Sequence, residues 1–263
     1  MKSILTAYRA LDPDNPLRVV ARRARSFAKG GPFAGPDHAE PKSADEIVSR
    51  DGLFLLLDQS SVVDRYVLEK GDWEPELRRR LFELTSELDF GPDAVFLDIG
   101  AYFGLYALHA AKSGRFREIH AFEPDKLNFA QLQACLFLNR AVERITAHNI
   151  YVGDKSGVAE MTKSSAMIGN RGGAGRYGEK ENQATVRVDA IDNLVNYAGR
   201  DIVAKIDAEN GEFDVLAGMR DTIARNRMLL QIECGSIEGL KAHCTPLGLR
   251  HIESVGDHFF TNA

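Results

Sequence analysis

Along the chain, short unbroken apolar runs alternate with longer stretches in which apolar residues recur every three or four positions. The first pattern predicts strands buried on both faces, and the second predicts helices that cover them. Phe54–Leu57 predict an apolar strand or buried segment, Val62–Lys70 a short helix or strand, and Glu74–Leu88 a helix with Leu77, Leu81 and Leu84 on one side. From Ala94 the alternation becomes regular. A strand over Ala94–Leu97 leads to a helix marked by Leu105 and Leu108, a strand over Ile119–Phe122, a helix carrying Phe129, Leu132 and Leu136, and a strand over Ile145–Val152. Val186 and Val188 alternate with Arg187 and Asp189 as in a half-exposed strand, Ile191–Tyr197 predict a helix, and Ile202–Asp207 a buried strand. A helix over 212–226 follows, with Phe213, Leu216 and Met219 or Ile223 on its buried side. Then come a strand over Met228–Glu233 and a hairpin of Leu249–Val255 and His258–Thr261 about Gly256-Asp257. Strands and helices in this order predict an α/β fold with a mostly parallel central sheet.

Two stretches interrupt the pattern. Residues 1–29 predict one or two short helices followed by the turn-rich Gly30-Gly31-Pro32-Phe33-Ala34-Gly35-Pro36, which places a boundary near residue 40 between a basic extension and a single domain over 41–263. The second is 162–182, with Gly169-Asn170-Arg171-Gly172-Gly173-Ala174-Gly175, which reads as a candidate acceptor-side lid or as a surface insertion. It lacks the Gly-Lys-Ser/Thr ending of a phosphate loop. The net charge of −5 is uneven. Lys2, Arg9, Arg18, Arg22, Arg23, Arg25 and Lys29 face only Asp12 and Asp14, so the extension is a solvated tail or a weak contact for a membrane or an anionic glycan. No apolar run approaches a bilayer span and the start does not read as a secretory signal. Cys135, Cys234 and Cys244 show no paired ligand spacing, which predicts reduced thiols and a cytoplasmic protein with no metal site. The acidic remainder and the absence of an Asn-Pro-Pro-Tyr or Asp-Pro-Pro-Tyr block argue against nucleic acid as a partner.

The chemistry concentrates at predicted strand ends. Asp98-Ile99-Gly100-Ala101-Tyr102-Phe103-Gly104 turns from strand to helix, and Glu123 follows Gly104 by nineteen residues. That is near the roughly 20-residue interval at which a carboxylate on the next strand receives ribose hydroxyls. A dinucleotide site has Gly-x-Gly-x-x-Gly for its pyrophosphate, whereas this chain has Asp-x-Gly-x-x-x-Gly. A carboxylate at Asp98 repels pyrophosphate but suits the ammonium and sulfonium of S-adenosylmethionine; as a structural residue it would cap the following helix. Asp207 occupies a third strand tip, and ligands in such sheets collect beyond the carboxyl ends of the strands. Asp98, Glu123 and Asp207 are therefore expected to converge.

Four blocks in order, Gly71-Asp72-Trp73-Glu74-Pro75, Asp98–Gly104, Ala121-Phe122-Glu123-Pro124-Asp125 and Lys205-Ile206-Asp207-Ala208-Glu209-Asn210-Gly211-Glu212, resemble the FkbM family of class I S-adenosylmethionine-dependent methyltransferases over about residues 60–235. Asn210 stands where that family usually has glycine. The resemblance implies a Rossmann-like fold ending in an antiparallel hairpin, with S-adenosylmethionine as cofactor. It implies a cofactor site built from Asp98, Gly100, Ala101, Tyr102, Gly104, Glu123, Pro124 and Glu74, the last closing over the methionine end or else lining the acceptor site. The expected reaction is O-methylation of a sugar, glycan or secondary-metabolite-like hydroxyl, with N-methylation of a small molecule or peptide, or a non-catalytic cofactor-binding partner, as alternatives. Glu209 is the first candidate for general base, beside Asp207, which could instead contact the methionine ammonium, and Glu212, which could instead be a structural carboxylate at a helix start. Lys205 reads as a neutraliser of nearby carboxylates, and Asn149 and Asp154 as candidate adenine contacts.

Overall fold

The computed structural model describes residues 45–162 and 183–263. The predicted basic extension and linker over 1–40, and the loop predicted over 162–182 apart from Thr162, lie outside the described residues. The chain enters through β1 (Asp45–Arg50) and β2 (Leu53–Asp58), which pair across Asp51 and Gly52, both at positive φ. An Asp-Gly pair is a strong turn signal for such a connection. Two helices follow, α1 (Val62–Lys70) and α2 (Pro75–Glu87). The first resolves the ambiguity of Val62–Lys70, since Val67 packs inward at helical spacing.

The regular alternation then becomes β3 (Ala94–Ile99), α3 (Leu105–Ser113), β4 (Phe116–Phe122), α4 (Lys126–Leu138) and β5 (Ile145–His148). A small sheet of β6 (Tyr151–Val152), β7 (Gly157–Thr162) and β8 (Gln183–Asp189) follows, with β8 central. The remaining elements are α5 (Ile191–Leu194), β9 (Asp201–Ile206), α6 (Glu212–Ala217), α7 (Arg220–Arg225), β10 (Arg227–Ile232), α8 (Ile237–Cys244), a 3-10 turn over Thr245–Leu247, β11 (Arg250–Val255) and β12 (Asp257–Thr261).

Seven strands form the central sheet in the order β11-β12-β10-β9-β3-β4-β5. The pairs β10/β9, β9/β3, β3/β4 and β4/β5 are parallel, and β12 is antiparallel to both β10 and β11. The chain winds outward from β3 through β4 to β5, then returns to the other side of β3 with β9. That reversal opens a crevice at the carboxyl ends of β3 and β9. Strand β3 is buried along its whole length. Phe96 faces a core with β2, α1, α2, α3 and α4, while Val95, Leu97 and Ile99 face a second core with α5, α6, α7 and α8. Cover on both faces is why its sequence is a continuous apolar run rather than an alternation.

Three predicted elements differ. The strand expected over Ile145–Val152 divides, because β5 pairs with β4 whereas β6 pairs with β8. Between them the Asn149 amide donates to the carbonyls of Glu123 and Pro124 (2.9 and 3.1 Å). The helix expected over 212–226 divides at Gly218-Met219. There the Asp192 carboxylate accepts from the backbone amides of Asp221 and Thr222 (3.0 and 2.8 Å) and starts a separate helix. The helix expected over Ile191–Tyr197 stops at Leu194. Strands β1 and β7 and helix α8 carry weak periodicity and were not anticipated. No helix among the described residues is long and apolar enough to cross a membrane.

Candidate functional site

Parallel pairing sets the positions of the acids. Glu123, Asp207 and Glu233 each stand one residue beyond a strand. Each donates its backbone N–H to the neighbouring strand: Glu123 to His148 O, Asp207 to Ile99 O, and Glu233 to Ile206 O, all at 3.0 Å. The three carboxylates are thereby fixed along one edge of the sheet, with Asp207 in the middle. Gly100 is what lets β3 and β9 end so close together. It has φ +81°, and a Cβ there would lie 1.8 Å from Asp207 O.

The turn after β3 is organised around Glu123. Its carboxylate is buried and accepts from the Tyr102 and Asp125 amides, each at 2.8 Å. Burial raises its pKa to about 8 despite those amides. A carboxylate has about four acceptor positions, so capacity remains for ribose hydroxyls. Asp98 is also buried, and Oδ2 accepts from Ala107 N (2.9 Å) in the first turn of α3. It therefore caps that helix; burial lifts its pKa to about 6, with Lys205 opposing the shift. Gly104, at φ +84°, closes the turn against Leu132, while Ala101 N, like Gly100 N, donates to Phe122 O.

Tyr102 holds φ +50°, an uncommon conformation for an aromatic residue. Its hydroxyl donates to Asp64 Oδ1 (2.6 Å) and contacts Ser61 Oγ (2.7 Å). Asp64 is fully buried and its Oδ2 also accepts from Asp58 N (2.7 Å) and Gln131 Nε2 (2.6 Å). One aspartate thus clamps β2, α1 and α4 to the turn after β3.

Between these elements lies a slot lined by Ile99, Gly100, Phe122, Glu123, Pro124, Asn128, Ile150, Tyr151, Val152, Asp207, Ala208 and Glu209. Of the residues expected at the cofactor, Gly100, Glu123 and Pro124 line it, whereas Asp98, Ala101, Tyr102 and Gly104 shape the turn behind it. Among the three candidate catalytic acids, Asp207 and Glu209 line the slot and Glu212 does not. Glu212 accepts from the Ala208 and Asn210 amides (3.2 and 3.1 Å) and pins the loop after β9. In that loop Glu209 and Asn210 both adopt positive φ, 50° and 73°. Asparagine tolerates this region better than other side-chain-bearing residues, so the departure from glycine at 210 keeps the backbone turn.

The other end of the crevice is charged. Lys205 Nζ donates to Asp207 Oδ2 (2.6 Å) and lies 5.2 Å from the centre of the Tyr106 ring. Burial alone would lower the lysine pKa, but Asp207, Glu74 and Asp98 hold it well above its usual value. Glu74, expected over the methionine end or at the acceptor site, stands here: its Oε2 accepts from the Tyr106 hydroxyl (3.1 Å), and it has φ +50° ahead of Pro75. Gln231 Nε2 donates to the Tyr106 hydroxyl (3.0 Å) and to Asp257 Oδ2 (2.7 Å). Tyr106, Gln231, Asp257 and the clamp residue Asp64 were not expected at the site. Gln231 alone had a legible signal, as the polar residue inside the apolar run Met228–Ile232. Among the described residues no group of three His, Cys, Asp or Glu is arranged for a metal ion.

The strand order, terminal antiparallel pair and acid-tipped crevice define a class I methyltransferase architecture. Residues 98–248 match the methyltransferase FkbM domain, and the chain belongs to the FkbM methyltransferase family, whose cofactor is S-adenosylmethionine. The slot suits that molecule, with apolar walls at Phe122, Ile150 and Val152 for a purine and Glu123 for its ribose. No curated protein matches the sequence. Among solved structures, a methyltransferase FkbM from Methylobacillus flagellatus shares 18% identity over 97% of this chain with a TM-score of 0.48; this chain spans 62% of that protein's length. M. jannaschii TYW2 in complex with AdoMet has 12% identity, covering 85% of this chain and 86% of that one, with a TM-score of 0.44. The N-terminal domain of human METTL16 in complex with SAH also has 12% identity, covering 76% and 78%, with a TM-score of 0.43.

Proposed function

We propose that this chain transfers a methyl group from S-adenosylmethionine to a hydroxyl of a sugar, glycan or secondary-metabolite-like acceptor. The observation that carries this reading is Glu209. It lines the slot beside Asp207, and burial, then the Asp207 charge, raise its carboxyl to about pH 7. A general base works best when its pKa lies near the working pH. When bound, the cofactor supplies an activated methyl group, so the remaining work is positioning the acceptor and removing its proton. In this reading Glu123 holds the ribose, Asp98 and Tyr102 fix the turn, and Asp207 is paired with Lys205. Glu209 takes the hydroxyl proton, while Glu212 holds the loop that presents it. The three cysteines are free, in keeping with a reducing compartment, and we place the enzyme in the cytoplasm.

The test is Glu209→Gln, followed by S-adenosylhomocysteine release with a panel of hydroxylated sugars. Turnover should fall by about 10²–10⁴-fold with cofactor affinity unchanged. The rate of the unmodified chain should rise with pH through about 7, as Glu209 loses its proton. Normal turnover in the variant would remove Glu209 as the base.

A further inference from the structure

The charged end of the crevice contains more acceptors than its own donors satisfy. Glu74, Asp207, Glu233 and Asp257 lie within electrostatic reach of one another around Lys205, which is committed to Asp207. Gln231, fully buried, carries an Oε1 with no hydrogen-bond partner. Its amide cannot simply turn over, because Nε2 already serves Asp257, a carboxylate that needs a donor, and the Tyr106 hydroxyl, which donates onward to Glu74. The free oxygen calls for a donor from outside the protein.

This end also adjoins the reacting end of the slot. Asp207 belongs to both, and Glu233 follows β10, the strand next to β9. Asp257 opens β12, whose His258 pairs with Ile232, so it stands on the same edge of the sheet as Glu233. Resting on the methyl-transfer reading above, we propose that Glu74, Tyr106, Gln231, Glu233 and Asp257 bound the acceptor subsite, and that it selects a polyhydroxylated acceptor carrying a protonated amine. Hydroxyl and ammonium donors satisfy Gln231 Oε1 and the carboxylates, whereas a phosphate or carboxylate on the acceptor meets repulsion from four acids. The electrostatics agree: Asp207's charge, then desolvation, raises the Glu233 carboxyl to about 8, and burial raises Glu74 and Asp257. A cation in their midst would restore their ionised forms.

The experiment is saturation-transfer NMR on the full chain saturated with S-adenosylhomocysteine, titrated with glucosamine and separately with glucose, which differ by an amine in place of a hydroxyl. Glucosamine should bind about tenfold more tightly. That preference should disappear in Asp257→Asn and in Glu233→Gln, whose exposed side chain makes loss of folding an inadequate explanation. Affinity for S-adenosylhomocysteine should be unchanged in both. Equal binding of the two sugars, absence of glucosamine binding, or a preference that survives both substitutions would overturn the proposal. Failure of the unmodified chain to bind S-adenosylhomocysteine would instead overturn the methyl-transfer reading, and this proposal with it.

Discussion

The two ends of the crevice hold their carboxylates in different ways. On the side proposed for the cofactor Asp98 rests on the Ala107 amide and Glu123 on the Tyr102 and Asp125 amides. On the side proposed for the acceptor Glu74, Asp207 and Asp257 rest on side chains, namely Tyr106, Lys205 and Gln231. Backbone amides are positioned by the sheet and helices themselves, so they offer one geometry. A side-chain network can rearrange its protons and rotamers around a ligand. In the proposed reading the first end suits a ligand that never varies, and the second can change with its substrate without disturbing the fold.

The comparison breaks most severely at Gly100, the point both ends share. In Gly100→Ala the added Cβ would meet Asp207 O at 1.8 Å, with a backbone φ of +81° that alanine disfavours. Strain in a fully packed sheet of this kind is expected to cost more than about 4 kcal/mol. Urea denaturation should show a large loss of stability or no folded protein; a stable variant would mean that β3 and β9 can separate freely.

Tyr102→Phe separates the ends more gently. It removes the hydroxyl from buried Asp64 while leaving Tyr102 N on Glu123. Calorimetry should show S-adenosylhomocysteine affinity reduced by about tenfold, the value of one charged hydrogen bond. Turnover at saturating cofactor should be retained. A fall in turnover at saturation would show that the clamp reaches the acceptor end.

The smallest effect is on pH dependence. Glu123, Glu209 and Glu233 have folded-state pKa values raised to about 8, 7 and 8. A raised carboxylate contributes stability that is complete below its unfolded value and lost as pH rises through the folded one. The histidines act in the opposite sense: burial lowers His109 and His148 to about 4 and also lowers His120, so their effect is largely complete above the usual histidine range. Between about pH 7 and 8.5 the acids dominate, and the melting temperature should fall as pH rises. Glu233→Gln should flatten that slope while leaving the cofactor end as it is; an unchanged slope would place Glu233 in bulk-like surroundings.

Much of the turn after β3 was legible because its determinants are local. Asp98, Gly100, Gly104 and Glu123 sit within a single strand–turn–helix–strand unit, and their spacing alone reports the turn. The acceptor end was legible only in part. Glu74 could be recognised as chemistry at either end of the site, but the sequence does not say that its carboxylate turns toward Tyr106. Glu212 reads as a catalytic candidate or a structural carboxylate at a helix start, and only the structure shows that two loop amides 2–4 residues before it occupy one of its oxygens. The division of 145–152 between two sheets was equally invisible, because an apolar run does not name its partner strand.

The sequence by itself determined the α/β alternation, the glycine turn and the acids at strand tips. These follow from residue periods and from conformations that only particular residues adopt. Tertiary structure alone decided which acids face one another, that Asp64 clamps Tyr102, and that Gln231 joins Tyr106 to Asp257 across 125 and 26 positions of chain. Such contacts depend on strand order and register, and pairing between distant segments leaves no period in the segments themselves.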